Sequence, residues 1–381
     1  MASLVKVLHI VPGLETGGTE VFLANLLPAL QARGIESTLF SLRKGGTVAA
    51  RLIDAGVKVQ ALGVGGYVSS ALAWPRLSAL AREARPDVIH GWLYHGNLAA
   101  SLVRSTIPTA YLLWSIRHGI VGPRHEKAAT RLVIRFGARL SRRADRLIYN
   151  AEECARQHTQ AGFADERAVV IPNGIDTNRF KPDSEARSRG RHSYGLAADN
   201  LLVGIVGRYH PVKGYDLFVK AAAIAAGADP RLRFLMLGRG MREDNAELAT
   251  LLAQSGIRDK IRLMGERTDV PETLSMLDVY VSASWGEGFP NVVGEAMACG
   301  VPCVVTDVGA SRDLVGGTGA IVPAGSAPSL AAALIELTKR PATRRLELGA
   351  AARDRVARLF SWDRSVSAYA ELYANLRERL T

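Results

Sequence analysis

A chain of 381 residues is long for one domain and comfortable for two, each able to bury its own core, and 48% hydrophobic with 22% charged residues describes an ordinary soluble globular protein. The net charge of +12 points to anionic partners, namely nucleoside diphosphates, anionic lipid surfaces or nucleic acid, without choosing among them. Cys154, Cys299 and Cys303 are the only cysteines; with no second pair or nearby histidine they exclude a disulfide framework and a zinc site, and read as small core residues in a reducing compartment.

At the amino end the apolar run Leu8 to Val11 leads straight into Gly13 and Gly17-Gly18 without a small-residue cleavage site, so no signal peptide is expected. No apolar stretch is long enough to span a bilayer, and a cytoplasmic protein is expected, with attachment to a membrane surface left open. Val5 to Val11 reads as a strand, Thr19 to Ala32 as an amphipathic helix and Ser37 to Leu42 as the next strand. Further strands are expected at Val57 to Leu62, Asp87 to His90, Ala110 to Trp114, Arg146 to Tyr149 and Ala168 to Ile171. Such alternation predicts right-handed βαβ units, hence a parallel sheet with helices on both faces. Periodicity fades after Asn173 into a polar stretch with Pro182, Asp183, Ser184 and Gly190, and residues 176–199 read as a linker. A second series follows: Leu201 to Val206, Arg233 to Leu237, Lys260 to Met264, Val279 to Ala283 and Cys303 to Thr306. Leu330 to Leu337, Pro341 to Leu359 and Trp362 towards Leu380 are helical in pattern. The expected fold is therefore α/β: two Rossmann-like doubly wound domains, 1–175 and 200–361, facing each other across a cleft, with ligands at the carboxyl ends of the strands.

The motifs fall on the strand-to-helix turns. Glu287-Gly288-Phe289-Pro290-Asn291-Val292 places a carboxylate on a loop before a helix, with Pro290 suited to the first helical position and Glu295 one turn inside. The amides around Asn291 and Val292 point at the space that Glu287 faces, a natural seat for a phosphate, so one acid can read a sugar and the other a ribose. Arg208 and Lys213, at the end of the first strand of the second domain, form a diphosphate clamp: arginine grips with two parallel hydrogen bonds, lysine as a compact mobile charge. The blander alternative is a pair of solvated cations. Gly17-Gly18 lacks the spaced fingerprint of nicotinamide enzymes, but lets backbone amides approach a ligand closely; a mere tight turn is the alternative. His118, just past a strand, is on its own more often a structural residue than a catalytic one. His90 and His95 have no further ligand spaced to complete a metal site, and packing or acceptor contact is the better reading. From Arg124 through Lys127, Arg131, Arg135, Arg139, Arg142 and Arg143 runs a basic helix interleaved with Leu132, Ile134 and Phe136. A solvated face is the commoner outcome for such a run, an anionic membrane surface is the functional one, and nucleic acid fits poorly without an aromatic platform.

Taken in order, the glycine loop, the Arg208–Lys213 stretch and the paired glutamates resemble the retaining nucleotide-sugar glycosyltransferases of glycosyltransferase family 4, with the GT-B fold, over nearly the full chain. The resemblance implies an acceptor-binding first domain onto which 362–381 packs back, and a donor-binding second domain. It implies that Arg208 and Lys213 neutralise the departing nucleoside diphosphate, Glu287 orients the donor sugar and Glu295 accepts hydrogen bonds from the ribose. It also implies that His118 binds the transferred sugar, Gly18 lies near the transferred group and Gly17, Gly288, Phe289, Pro290, Asn291 and Val292 line the donor site. Backbone around Arg267 and Thr268 is expected at the nucleobase, and Arg117, unusual before that histidine, is expected at the acceptor's phosphate. The activity implied is transfer with retention to a glycan or lipid-linked hydroxyl in cell-surface polysaccharide or glycolipid biosynthesis. No cofactor and no metal are expected, since no Asp-x-Asp motif occurs and Arg208, Lys213 and the helix end can do a metal's electrostatic work. A nucleotide-sugar epimerase of the same fold and a non-catalytic membrane-surface scaffold are the alternatives.

Overall fold

The computed structural model describes residues 5–15, 17–63, 67–120 and 128–377. The chain divides into two compact units: Met1–Asn173 together with Asp363–Thr381, and Gly174–Trp362. Each is built on an all-parallel sheet, the doubly wound α/β architecture expected.

The first sheet comprises β1 (Val5–Val11), β2 (Ile35–Ser41), β3 (Lys58–Ala61), β4 (Val88–Trp92), β5 (Tyr111–Ile116), β6 (Arg146–Tyr149) and β7 (Ala168–Val170), in the order β3-β2-β1-β4-β5-β6-β7. Its central strands are buried on both faces, which is why β5 reads as a nearly continuous apolar run, broken only by Ser115, rather than an alternating one. Helix Leu93–Thr106 presses onto this sheet: a Cβ on Gly96 would stand 2.5 Å from the Ile10 carbonyl oxygen, so only glycine allows the approach.

The last helix, Trp362–Arg377, is fastened to this first unit. Tyr373 Oη lies 2.7 Å from His90 Nδ1, Arg117 donates to Tyr369 Oη at 3.2 Å, and Ser365 donates to the Pro172 carbonyl at 2.9 Å. Tyr369 and Tyr373 are fully buried, so this attachment is core rather than a surface contact.

The second sheet comprises β8 (Leu201–Val206), β9 (Leu232–Leu237), β10 (Ile261–Leu263), β11 (Val279–Ser282), β12 (Cys303–Thr306) and β13 (Ala320–Val322), in the order β10-β9-β8-β11-β12-β13. The short edge strand β13 was not expected, because its three residues follow a glycine-rich stretch that reads as loop. Gly319 is what lets it dock, since a Cβ there would meet the Cys303 carbonyl at 2.4 Å.

Residues 176–199 are not a bare linker. They carry helix Ser184–Ser193, capped by Asp183 accepting from the Ala186 amide at 2.8 Å, and they belong to the second unit. The helix has little apolar periodicity because it is held by charge: Arg187 and Arg191 grip the two oxygens of Asp278 at 2.6 and 2.9 Å.

Candidate active site

In the second sheet the strand order reverses between β8 and β11, and the loops leaving their carboxyl ends carry the sequence motifs. A parallel sheet binds ligands at such a point, because the two loops part in opposite directions and open a crevice. Here the loops are laced together. Gly214, at φ +64°, lies so close to the second loop that a Cβ would stand 2.1 Å from the Ala283 carbonyl, and the Trp285 amide donates to the Val212 carbonyl at 2.8 Å. From the other side Thr306 Oγ1 donates to the Ser284 carbonyl at 2.7 Å and the Ala310 amide to the Gly288 carbonyl at 2.9 Å.

This lacing brings Lys213 and Glu287 together. Lys213 Nζ and Ser284 Oγ both donate to Glu287 Oε1 at 2.6 Å, leaving Oε2 without a partner among the described residues. Arg208, on the same loop as Lys213, is exposed and has no hydrogen-bond or ion-pair partner among the described residues. The structure therefore holds one cation pinned by an acid and one unopposed.

Helix Asn291–Ala298 begins one residue later than expected, with Pro290 as its N-cap at φ −79° and ψ 83°. The amides of Val293 and Gly294 bond to the Pro290 carbonyl, and Asn291 and Val292 form the first turn at this helix end. Phe289 is buried against Phe360, ring centroids 5.8 Å apart, which fixes the loop behind Glu287 and Gly288. Glu295 is half-buried, and loss of solvation raises its carboxyl to about 7, only partly countered by the charge of Arg179. No hydrogen bond reaches it among the described residues. Arg267 and Thr268 are exposed, and the Arg267 guanidinium is committed to Asp269 through two bonds of 2.6 Å.

In the first unit the reversal lies between β1 and β4. Gly17 caps helix Gly18–Gln31, and a Cβ on it would strike the Glu20 carboxylate at 2.4 Å, whereas a Cβ on Gly18 would meet nothing within 4 Å. Gly18 thus presents open backbone. His118, just past β5, is half-buried; burial lowers its pKa to about 4, so the ring is neutral at physiological pH. The Tyr94 ring stands edge-on to it at 4.7 Å.

The preceding residue behaves otherwise. Arg117 is not at an exposed acceptor site: its guanidinium is buried, donating to Asn173 Oδ1 at 2.6 Å and to Tyr369, and lying 3.8 Å above the Phe22 ring. Arg117 is thus turned into the core, while His118, the next residue, is only half-buried. His90 is likewise internal, stacked on Trp92 at 4.3 Å and bonded to Tyr373 and Ser115, while His95 is exposed.

Against this geometry, known proteins give a consistent match. The description "Glycosyltransferase Family 4" fits residues 16–179 and "Glycosyl transferases group 1" fits residues 200–340. The D-inositol 3-phosphate glycosyltransferase of Streptomyces bingchenggensis is 30% identical over 94% of this chain and 85% of its own length. The chain belongs to glycosyltransferase family 4. The family member of the same name in Actinosynnema mirum is 29% identical over 96% of this chain and 93% of its own. The lipopolysaccharide core mannosyltransferase LpsB of Rhizobium meliloti is 34% identical over 62% of this chain and 67% of its own. Among solved structures, Anabaena HepE in complex with UDP and glucose superposes with a TM-score of 0.85, at 22% identity, covering 97% of this chain and 100% of that one, which establishes the GT-B fold.

Sequence reasoning missed several supporting residues of this glycosyltransferase. Ser284 holds Glu287, and Tyr215 bonds the Gly207 carbonyl at 2.8 Å beneath the Arg208 loop. Tyr94 is fixed beside His118 by donating to His158 Nε2 at 2.7 Å, a role set by the Nδ1 hydrogen bond from His158 to the Cys154 carbonyl. No local pattern marks these residues: Tyr94 and His158 are 64 residues apart, and the Ser284 and Tyr215 hydroxyls reach across irregular turns whose folding no periodicity reports.

Proposed function

We propose that this glycosyltransferase takes its sugar from a nucleoside diphosphate and passes it, with retention, to a hydroxyl of a glycan or lipid-linked acceptor in cell-surface polysaccharide or glycolipid assembly. The observation that carries the reading is the Lys213–Glu287 pair at 2.6 Å beside an unopposed Arg208. Breaking the anomeric bond puts negative charge on the diphosphate and positive charge on the sugar ring, so fixed cations at the leaving group are what the barrier demands. Arg208 and Lys213 supply them from one loop, and the amides at Asn291 and Val292 add the helix end. That set does the electrostatic work of a divalent ion, and the reading needs neither metal nor cofactor.

Glu287 Oε2 accepts sugar hydroxyls while Oε1 stays bound to Lys213, linking sugar orientation to phosphate charge. Glu295, with no internal partner, accepts from the ribose. His118, neutral, offers a hydrogen bond to the sugar rather than a proton, and the leaving phosphate takes the acceptor's proton. That HepE and this chain share a fold, and that HepE was solved with UDP and with UDP-glucose, supports a nucleotide-sugar donor here.

A panel of nucleoside diphosphates and nucleotide sugars tests it by melting temperature, followed by turnover with the stabilising donor and NMR of the product's anomeric configuration. Stabilisation by one nucleotide and a product of unchanged configuration are expected. An inverted product overturns retention, and an epimerised donor formed without acceptor overturns transfer itself.

A further inference from the structure

Helix Ala128–Leu140 and the turn Ser141–Arg143 carry Arg131, Arg135, Arg139, Arg142 and Arg143 and no carboxylate. All five are exposed, and none has an ion-pair or hydrogen-bond partner among the described residues. Elsewhere exposed arginines such as Arg156, Arg312 and Arg344 hold carboxylates on their own or nearby turns. Arg124 and Lys127, the start of the basic run, lie outside the described residues.

Two further features single this face out. Leu132 and Phe136, one turn apart, are 67% and 60% exposed, although Ile134 and Ala138 of the same helix are buried. At 3.6 residues per turn Arg131, Arg135 and Arg139 with these two apolar residues occupy one stripe of roughly 140°, the apolar pair along its edge, and Arg142 and Arg143 follow in the turn that ends the helix. Beside the stripe, Arg135, Ala138, Arg139, Arg142, Ala161 and Gly162 enclose a hollow of about 510 Å³ with three guanidinium groups and no acid in its wall.

We propose that this face docks the enzyme on an anionic bilayer. Leu132 and Phe136 enter the acyl boundary, the arginines lie at the level of the lipid phosphates, and one headgroup phosphate sits in the hollow between Arg135, Arg139 and Arg142. The inference rests on the proposed lipid-linked acceptor for its purpose, but on the stripe and the hollow for its evidence. Nucleic acid is disfavoured because Phe136 is the only aromatic residue on the stripe and gives no stacking platform.

Co-sedimentation of the full chain with vesicles tests this. Binding is expected to an equimolar mixture of phosphatidylglycerol and phosphatidylcholine, to weaken as salt rises, and to be absent with phosphatidylcholine alone. Arg135→Gln, Arg139→Gln and Arg142→Gln together should lower vesicle affinity on the order of a hundredfold, at about fivefold per cation. Leu132→Ser with Phe136→Ser should lower it about tenfold or more. All five positions are exposed, so unchanged melting temperatures and unchanged stabilisation by the donor nucleotide verify folding. Binding indifferent to anionic lipid, or undiminished in either variant, overturns the proposal. So does stabilisation by inorganic phosphate through the three arginines without vesicle binding, which would make the hollow a site for a free phosphate. Vesicle binding needs no donor, so its persistence in a protein that transfers no sugar would overturn the reaction and leave the docking face standing.

Discussion

Lys213 and Glu287 neutralise each other at 2.6 Å, and Ser284 fixes the acid from the side. On the proposed reading, removing the cation removes a preorganised charge at the leaving group and leaves the Glu287 carboxylate unneutralised beside it. Lys213→Ala is expected to lower kcat by about a hundredfold to a thousandfold, or about 3–4 kcal/mol of transition-state stabilisation, with the fold intact. Arg208→Ala should do the same, because that side chain carries no internal bond to lose; steady-state kinetics and the melting curve together check both. Glu295 gives a prediction of opposite character. Its carboxyl is raised from 4.5 to about 7 by burial, so the folded protein holds a proton there that the unfolded chain releases. Its effect on stability is therefore constant below 4.5, turns unfavourable as pH rises towards 7, and is constant beyond. Glu295→Gln should abolish that decline, seen as a gap between variant and parent that opens from pH 4.5 to 7 in denaturant melts. If the ribose needs the carboxylate, nucleotide affinity should rise through about pH 7 in the parent and stay flat in the variant.

Glycines and one aspartate set the elements in place. Gly214 combines φ +64° with a 2.1 Å approach to the Ala283 carbonyl, so Gly214→Ala must both strain the backbone and part the two loops of the candidate site. A loss of about 2–4 kcal/mol is expected, together with loss of nucleotide binding, measured by urea titration and thermal shift. Asp278, its side chain 8% exposed, accepts from Arg187, Arg191 and the Leu202 amide, and so binds helix Ser184–Ser193 to β8 and β11. Replacing it by alanine leaves two cations without their acid and should cost about 3–5 kcal/mol by the same titration. At this scale the sequence was informative where strands are buried on both faces, as in Leu201–Val206, and uninformative where a segment is held by charge or close approach. Helix Ser184–Ser193 shows no apolar period, and β13 hides behind Gly319. The turns carrying Gly17, Arg208 and Glu287 were legible because glycine and proline punctuate them. Which groups meet there was not: Lys213 and Glu287 are 74 residues apart, and the inward turn of Arg117 involves Tyr369, contributed by the last helix.

On the scale of the whole molecule, titration should separate the two units. Burial lowers His9 to about 3, His118 and His158 to about 4, and His90 well below its ordinary value of 6.5. All four belong to the first unit. His90 lies between Tyr373 and Ser115 with His9 and Arg117 as neighbouring positive influences, and His158 is committed at both nitrogens, so none gains a proton without losing a bond or charging the core. The unfolded chain takes up these protons near 6.5 while the folded unit does not. The stabilisation is thus complete above 6.5 and is lost as pH falls towards 4, at up to about 1.4 kcal/mol per pH unit for each histidine. Over much of the same range Glu295 acts the other way on the second unit, where acidification removes the cost of its charge. Amide exchange at pH 7 and pH 5 should therefore show protection falling steeply in β1, β4 and β5 and holding or rising in β11 and in helix Asn291–Ala298. Replacing His9 with glutamine, which cannot take a charge, should flatten the response of the first unit by one proton's share. Equal loss of protection in both units would mean that carboxylates spread over the whole chain, rather than these buried imidazoles, govern its acid stability.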